Sequence, residues 1–350
     1  MRSNKLNMSF LLLNIALLSF AVNISAQDIH FSQFYMSPLT LNPATAGAFK
    51  DINATTNFRD QWKSVSNPYK TFAIAYDMKI LKDKFQNALF GVGLNVFNDR
   101  AGDGSLNTTQ VSISIASHLK INTHQTLSAG LQGGFGQRSI NFSALTWDNQ
   151  FNGFAYDASL PSNEPMGSNS FLYPDFGGGV LWQYKKNEMY MSGGDNVESS
   201  LGFSVSHVNQ PKFYFYPSAE NFLYMKYVVH GTMSFGLKGT PVSIIPGFIY
   251  YKQGPAQEIQ AGSLINYTLR ENSKYTSFIS HRTIAAGVYY RWNDAVVIAS
   301  LLEMSNYAIG LSYDVNVSAL RKASYGRGGF EISLRYVFPA NGSINSAARF

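Results

Sequence analysis

Six histidines are the first residues to weigh, because imidazole is the commonest general base and metal ligand at neutral pH: His30, His118, His124, His207, His230 and His281. None belongs to a His-Glu-x-x-His pair or has a carboxylate at ligand spacing, so they read as structural or lumen-lining residues rather than a metal site. No Gly-x-Ser-x-Gly elbow is present, and no Ser, His and Asp group can be picked out by order along the chain. The absence of cysteine removes thiol catalysis, thiolate metal centres, disulfides and a lipid-anchoring cysteine. Gly-rich runs at 133–136 and 177–179 lack the Lys-Ser or Lys-Thr of a phosphate loop, and close packing of strands explains them better. The chain therefore reads as a non-enzyme that needs no cofactor and no metal. What remains for chemistry is recognition by aromatic rings, of which there are 21 Tyr, 26 Phe and 4 Trp.

Charged residues make up only 14% of the 350 residues against 15% aromatic, whereas soluble domains carry about 25% charged residues. A protein that turns one set of side chains towards lipid needs that exchange. The first residues fix the compartment. Arg2 and Lys5 precede an apolar run from Phe10 to Val22, and Ile24-Ser25-Ala26 supplies a small residue before a cut, which together make a secretory signal peptide cleaved after Ala26. No later stretch has 18 consecutive apolar residues, so a helical inner-membrane protein is excluded. Removing Arg2 and Lys5 leaves 25 basic against 21 acidic residues, scattered rather than striped, which does not point to nucleic acid.

The body repeats one pattern, segments of about ten residues alternating apolar and polar and separated by Gly, Asn, Asp or Ser turns, as membrane strands require. In the last segment Phe330, Ile332, Leu334, Tyr336 and Phe338 share one face and Glu331, Ser333 and Arg335 the other, where the charged Glu331 and Arg335 would form lumenal ion pairs. The same alternation sets Phe72, Ile74, Tyr76 and Met78 against Thr71, Ala73 and Ala75, and Val111, Ile113, Ile115 and Leu119 against Ser112, Ser114 and His118. The fold class is all-β, a transmembrane antiparallel barrel of about fourteen strands with an N-terminal extension. Its strands are expected near 53–61, 70–80, 88–98, 108–119, 125–137, 176–185, 199–208, 226–237, 242–252, 257–269, 281–292, 294–302, 306–315 and 329–338.

With both termini in the periplasm, 138–175, 209–225 and 316–328 become outer loops, and 120–124, 238–241 and 303–305 tight turns; 186–198 is long on the side where a turn is expected. The organisation is then signal peptide 1–26, N-terminal extension 27–52 that packs in the lumen as a plug or lies beneath the barrel, barrel 53–338 and tail 339–350. Trp62, Trp147, Trp182 and Trp292 read as girdle anchors at strand ends.

The N-terminal extension carries Phe31-Ser32-Gln33-Phe34-Tyr35, Ser37-Pro38-Leu39 and Leu41-Asn42-Pro43-Ala44 with Ala46-Gly47 just after. Further along come Arg59-Asp60-Gln61-Trp62, Gly91-Val92-Gly93-Leu94, Ile245-Pro246, Gly254-Pro255-Ala256-Gln257 and Gly310-Leu311-Ser312-Tyr313-Asp314. In this order the motifs resemble the PorP/SprF family of type IX secretion membrane proteins from Bacteroidetes, over nearly all of the mature chain. The family residues carried over are Phe31, Ser32, Gln33, Asn42, Pro43, Ala44 and Gly47.

The resemblance implies an outer-membrane protein that supports secretion and surface attachment of a large substrate, such as an adhesin of the kind used in gliding motility, by binding its C-terminal domain. It implies, as an alternative, a core tether to periplasmic ring components and a peptidoglycan-binding lipoprotein. A diffusion channel or hydrophobic-solute transporter is a third reading of such a barrel. The stretch Glu188 to Ser199 departs from the family pattern. From composition alone, Trp147, Tyr156, Tyr214 and Tyr216 in the outer loops are the candidate partner-binding residues, because Trp and Tyr dominate interface hot spots.

Overall fold

The computed structural model describes residues 28–338, apart from 65–66, 82–83, 86, 103, 165–166, 187–196, 214, 216–220 and 271–281. The expected signal peptide and tail and the Tyr214 and Tyr216 candidates lie outside the described residues, as does His281. Fourteen antiparallel strands close into one barrel: β1 (Ile52–Gln61), β2 (Tyr69–Ile80), β3 (Ala88–Ala101), β4 (Leu106–Lys120), β5 (Gln125–Ser139), β6 (Ser170–Lys186), β7 (Val197–Ser206), β8 (Lys226–Gly236), β9 (Val242–Gln253), β10 (Ala256–Arg270), β11 (Arg282–Arg291), β12 (Ala295–Met304), β13 (Tyr307–Asn316) and β14 (Arg327–Val337). Each strand pairs with its sequence neighbours, and β1 closes the ring on β14 from Asn53 opposite Val337 to Gln61 opposite Gly329. Closure leaves no strand edge for lipid to contact, the condition for β-structure in a bilayer.

Burial is inside out. Ile113 is 59% exposed and Phe72, Leu131, Phe176 and Leu334 are exposed with it, while Ser112, Ser114, Asn57, Ser333 and Glu331 are buried, Glu331 to 1%. In a bilayer the first set meets lipid and the second faces the lumen, because a charge facing lipid at the midplane costs about 2–4 kcal/mol. Aromatic residues gather at the strand ends. Trp62 lies edge-on to Tyr69 at one rim, 4.9 Å between centroids, and Trp292 beside Tyr290 at 6.1 Å. Tyr307, Tyr336 and Phe338 cluster at the other rim, with Trp182 and Tyr184 stacked there. Trp147 is not a girdle residue, since it lies in the long connection 140–169, away from any strand end.

One rim carries the connections 62–68, 102–105, 140–169, 207–225, 254–255, 292–294 and 317–326. The opposite rim carries 81–87, 121–124, 237–241 and 305–306, together with the end of β6, the start of β7, the end of β10 and the start of β11. Strand positions match the alternation in the sequence to within a few residues, with one exception. β6 begins at Ser170, six residues earlier than its periodicity suggests, and contains Pro174. A proline is tolerated there because β7 has already ended, its pairing with β6 starting only at Gly178 opposite Val205. The missing N–H thus faces no strand, and the Asn209 side chain donates to the Pro174 carbonyl instead (2.7 Å).

Candidate functional site in the lumen and at the mouth

Residues 28–50 are not beneath the barrel but inside it. Short turns shape this segment: a 3-10 turn at Phe34–Met36, one helical turn at Pro38–Leu41 and another 3-10 turn at Pro43–Thr45. Its prolines sit at first helical positions, where the absent N–H would be unpaired anyway. Phe34, Met36 and Leu41 form an apolar cluster with Val228, Ile249, Leu264, Tyr289 and Val297, and Leu39 and Ala46 form another with Ala75 and Ala116. Contacts with strands all around the ring are available only from the lumen.

The polar contacts give the segment a direction. At the long-loop rim, Asp28 donates its backbone N–H to Gln253 Oε1 (2.8 Å) and its carboxylate pairs with His207, whose other nitrogen meets Asp175 Oδ1 at 2.7 Å. Lys226 donates to the Ile29 carbonyl (3.0 Å), and Arg59 to the His30 carbonyl (2.5 Å). One turn further, Glu331 accepts the backbone N–H groups of Ser32 and Gln33 at 2.7 and 3.0 Å. The Ser32 hydroxyl donates to Asp314 (2.8 Å) and accepts from Arg291 (2.6 Å). Arg59 and Arg291 each also reach Asp314 at 3.0 Å. Near mid-height, Asn42 caps the following turn by accepting the Ala44 N–H (2.9 Å), while its amide donates to the Val180 carbonyl (2.9 Å) and lies 3.3 Å from His230 Nε2.

At the far rim His118 Nε2 donates to the Ala46 carbonyl (2.9 Å), and Asp77 accepts the Gly47 N–H (2.9 Å). The chain before β1 therefore runs the length of the lumen. The start of β1 lies at the short-turn rim and Asp28 at the opposite end.

Close approach explains why glycine lines this path. A Cβ on Gly91 would lie 1.9 Å from the Ala46 carbonyl oxygen, and one on Gly130 would lie 2.5 Å from Ala44 N. The family residues Phe31, Ser32, Gln33, Asn42, Pro43, Ala44 and Gly47 are all buried in this segment, and Gly47 takes φ +67° where the chain turns out towards β1. A remaining cavity in the upper lumen, between Asp28, His30, Gln110, Gln132, His207 and Lys226, measures about 30 Å³, room for one or two waters and no solute.

Above the lumen, Phe213 and Phe215 of the connection 207–225 pack against the ends of β5 and β6. Phe213 and Phe215 stack edge-on with a centroid spacing of 5.8 Å, Phe215 packs on Phe171 at 5.2 Å, and Arg138 lies 5.0 Å over the Phe213 ring. Of the candidate partner-binding residues, Trp147 is partly buried and its backbone N–H donates to Gln150 Oε1 (3.2 Å). Tyr156 is half exposed, bridging back to Phe151. The two belong to one loop but are not brought into a single pocket. Phe154, which composition did not single out, is 96% exposed. Among the described residues no group of three or more His, Asp or Glu gathers at metal-binding distance.

The sequence model of a family described as type IX secretion system membrane protein PorP/SprF matches residues 23–336. The chain belongs to that family. Within this PorP/SprF-family barrel, the motif residues are thus the ones that seat the N-terminal segment in the lumen. No curated protein sequence matches the chain. Among solved structures it is similar to the CymD monoaromatic hydrocarbon channel, at 10% identity over 87% of this chain and 93% of that one, with a TM-score of 0.43. It is also similar to a Pseudomonas aeruginosa FadL homologue, at 12% identity over 85% and 93% with a TM-score of 0.42. The KdgM porin aligns at 8% identity over 81% and 99% with a TM-score of 0.34.

The latch at Asp28 has a calculable pH window. Burial alone would favour neutral Asp28, but His207, Lys226 and Arg138 outweigh it and hold the carboxyl well below its usual range. Burial likewise disfavours charged His207, yet the carboxylates of Asp28 and Asp175 lift its pKa to about 9. A raised histidine pKa adds stability that is complete below its unfolded value near 6.5 and is lost as pH rises through 9. Asp28 adds stability that is present above its ordinary value and is lost only in strong acid. Thiol labelling of an Ile29→Cys variant should therefore stay slow from about pH 4 to 7 and quicken towards pH 9 and above, beyond the rise due to thiolate formation in a free-thiol control. The addition of His207→Gln should remove that alkaline excess.

Proposed function

We propose that this barrel is exported through a signal peptide cleaved after Ala26 and sits in the outer membrane. There it works without catalysis, supporting secretion and surface attachment of a type IX substrate by holding that substrate's C-terminal domain at its long-loop mouth. The observation that carries this reading is a lumen filled from rim to rim by the protein's own segment, which leaves the mouth as the surface free to work. Family membership supplies the secretion context, and an interior anchored by buried ion pairs suits a fixed platform better than a conduit.

Binding is assigned to the connections 140–169 and 207–225, with Trp147, Tyr156, Tyr214 and Tyr216 as aromatic anchors. Affinity purification of the tagged barrel from outer membranes, followed by mass spectrometry, should recover a large secreted protein through its C-terminal region. Changing the four anchors together to Ala should release it at least about tenfold, equivalent to the loss of one modest hot spot, with barrel abundance unchanged. Recovery of periplasmic ring components and a peptidoglycan-binding lipoprotein without any secreted substrate would replace this reading with the tether.

A further inference from the structure

The mouth carries two exposed aromatic tips of opposite charge. The first is the turn at 151–156 within the connection 140–169, whose thirty residues contain Asp148, Asp157 and Glu164 and no Lys or Arg. Its shape is fixed by hydrogen bonds, because Asn152 Oδ1 accepts the N–H groups of Phe154 and Ala155, both at 3.0 Å, and Asp157 donates its N–H to the Gln150 carbonyl (2.8 Å). Gln150 Nε2 also donates to the Leu160 carbonyl (3.1 Å). Phe151, Phe154 and Tyr156 are held outwards by this turn, all exposed.

The second tip is Tyr325, 87% exposed at the end of the connection 317–326. It sits at φ +53°, a left-handed conformation that disfavours any residue with a Cβ by about 1–2 kcal/mol. Its surroundings are basic: Arg321, Lys322 and Arg327 are exposed beside it, and Ser64 donates to the Ser324 carbonyl (3.3 Å), which brings the Lys63 loop alongside. In the ring order of strands the β5–β6 and β13–β14 connections stand nearly opposite one another across the mouth.

We propose that these two tips form one bipolar docking face for a single protein domain, with a basic patch over Phe154 and an acidic patch over Tyr325. The inference rests on the reading of the mouth as a substrate-holding surface and specifies the partner's chemistry. Rigid exposed rings give contact area at low entropic cost, and opposite fields at the two tips set the partner's orientation and its rate of encounter. At the first tip the charge pattern disfavours the anionic sugar phosphates of a bacterial surface, since the connection 140–169 has no cation to meet them, and a partner that engages both tips is therefore a protein with patches of both signs.

The test places the photo-crosslinking residue p-benzoylphenylalanine at Phe154 and, in a second strain, at Tyr325, with irradiation of intact cells and mapping of the adduct peptides. The expected result is the same secreted protein from both positions, joined through a Lys/Arg-rich segment at 154 and an Asp/Glu-rich segment at 325. Arg321→Glu with Lys322→Glu should reduce the adduct at 325 several-fold and abolish the loss of adduct that added salt causes in the unaltered protein. Different proteins at the two positions, adducts only with surface glycolipid, or segments of the wrong sign would overturn the proposal. A secreted substrate that co-purifies with the barrel yet cross-links from neither tip would overturn the bipolar face and leave the substrate-holding reading standing. No co-purifying substrate at all would remove both.

Discussion

Deleting residues 29–48 should turn a sealed barrel into an open pore, seen as new sensitivity of the cells to large polar antibiotics that the outer membrane normally excludes. The barrel should survive the deletion because its wall is a complete ring of hydrogen-bonded strands, and the ladder, not the lumen, satisfies the backbone in lipid. What the deletion exposes is polar. Arg59, Asp314, Arg291, Glu331, Gln260 and His118 line the vacated space, and water can solvate each of them once the segment is gone. A smaller change points the same way. Gly91→Val would place its side chain into the Ala46 carbonyl, 1.9 Å from the first added carbon, and should loosen the lower end of the segment without touching the wall's register.

Arg291→Met should produce the largest loss of stability of any single substitution in the lumen wall. Arg291 is almost fully buried; it meets Asp314 at 3.0 Å, Asp294 at 3.0 Å and Glu258 at 3.3 Å, and it donates to Ser32 and Gln260. Methionine fills a similar volume but leaves those carboxylates facing one another, with Arg59 the nearest remaining guanidinium on Asp314. Breaking a buried pair by removing one partner costs about 3–5 kcal/mol, whereas replacing both partners by apolar groups is often nearly neutral. The temperature at which the folded band converts to the unfolded band on SDS gels should therefore fall sharply for Arg291→Met. Arg291→Met with Asp314→Leu should recover part of the loss. An unchanged transition in the single variant would mean that the cluster is solvated and holds nothing.

The fold was legible because lipid and lumen impose opposite demands on alternate residues. Phe72, Ile74 and Tyr76 against Thr71, Ala73 and Ala75 could satisfy a bilayer only as a strand, and that argument repeats around the ring. It failed at β6, where Pro174 reads as a loop residue until the early end of β7 is known. The lumen was legible in part. Glu331 and Arg335 stood on the inward face by parity alone, and Arg335 does pair with Glu303 at 2.5 Å. Glu331 instead receives two backbone N–H groups from Ser32 and Gln33, some 300 positions away in the chain.

No local pattern in 28–50 could reveal that contact or the direction in which the segment runs, because its turns are the same whichever end is uppermost. The motif Leu41-Asn42-Pro43-Ala44 marked the place without its reason, which is that Asn42 joins a turn of the segment to the walls of β6 and β8. At the mouth, composition drew attention to Trp147 and Tyr156 but passed over Phe154, since exposure is set by the Asn152 turn and not by residue type.

The most direct test of a barrel that is sealed by its own N-terminal segment and works by holding a partner is the conductance of the intact, purified protein in planar bilayers. The expected result is silence across applied voltages, with currents appearing only when residues 29–48 are removed. Steady, ion-conducting openings from the intact protein would contradict the filled lumen and make the barrel a channel.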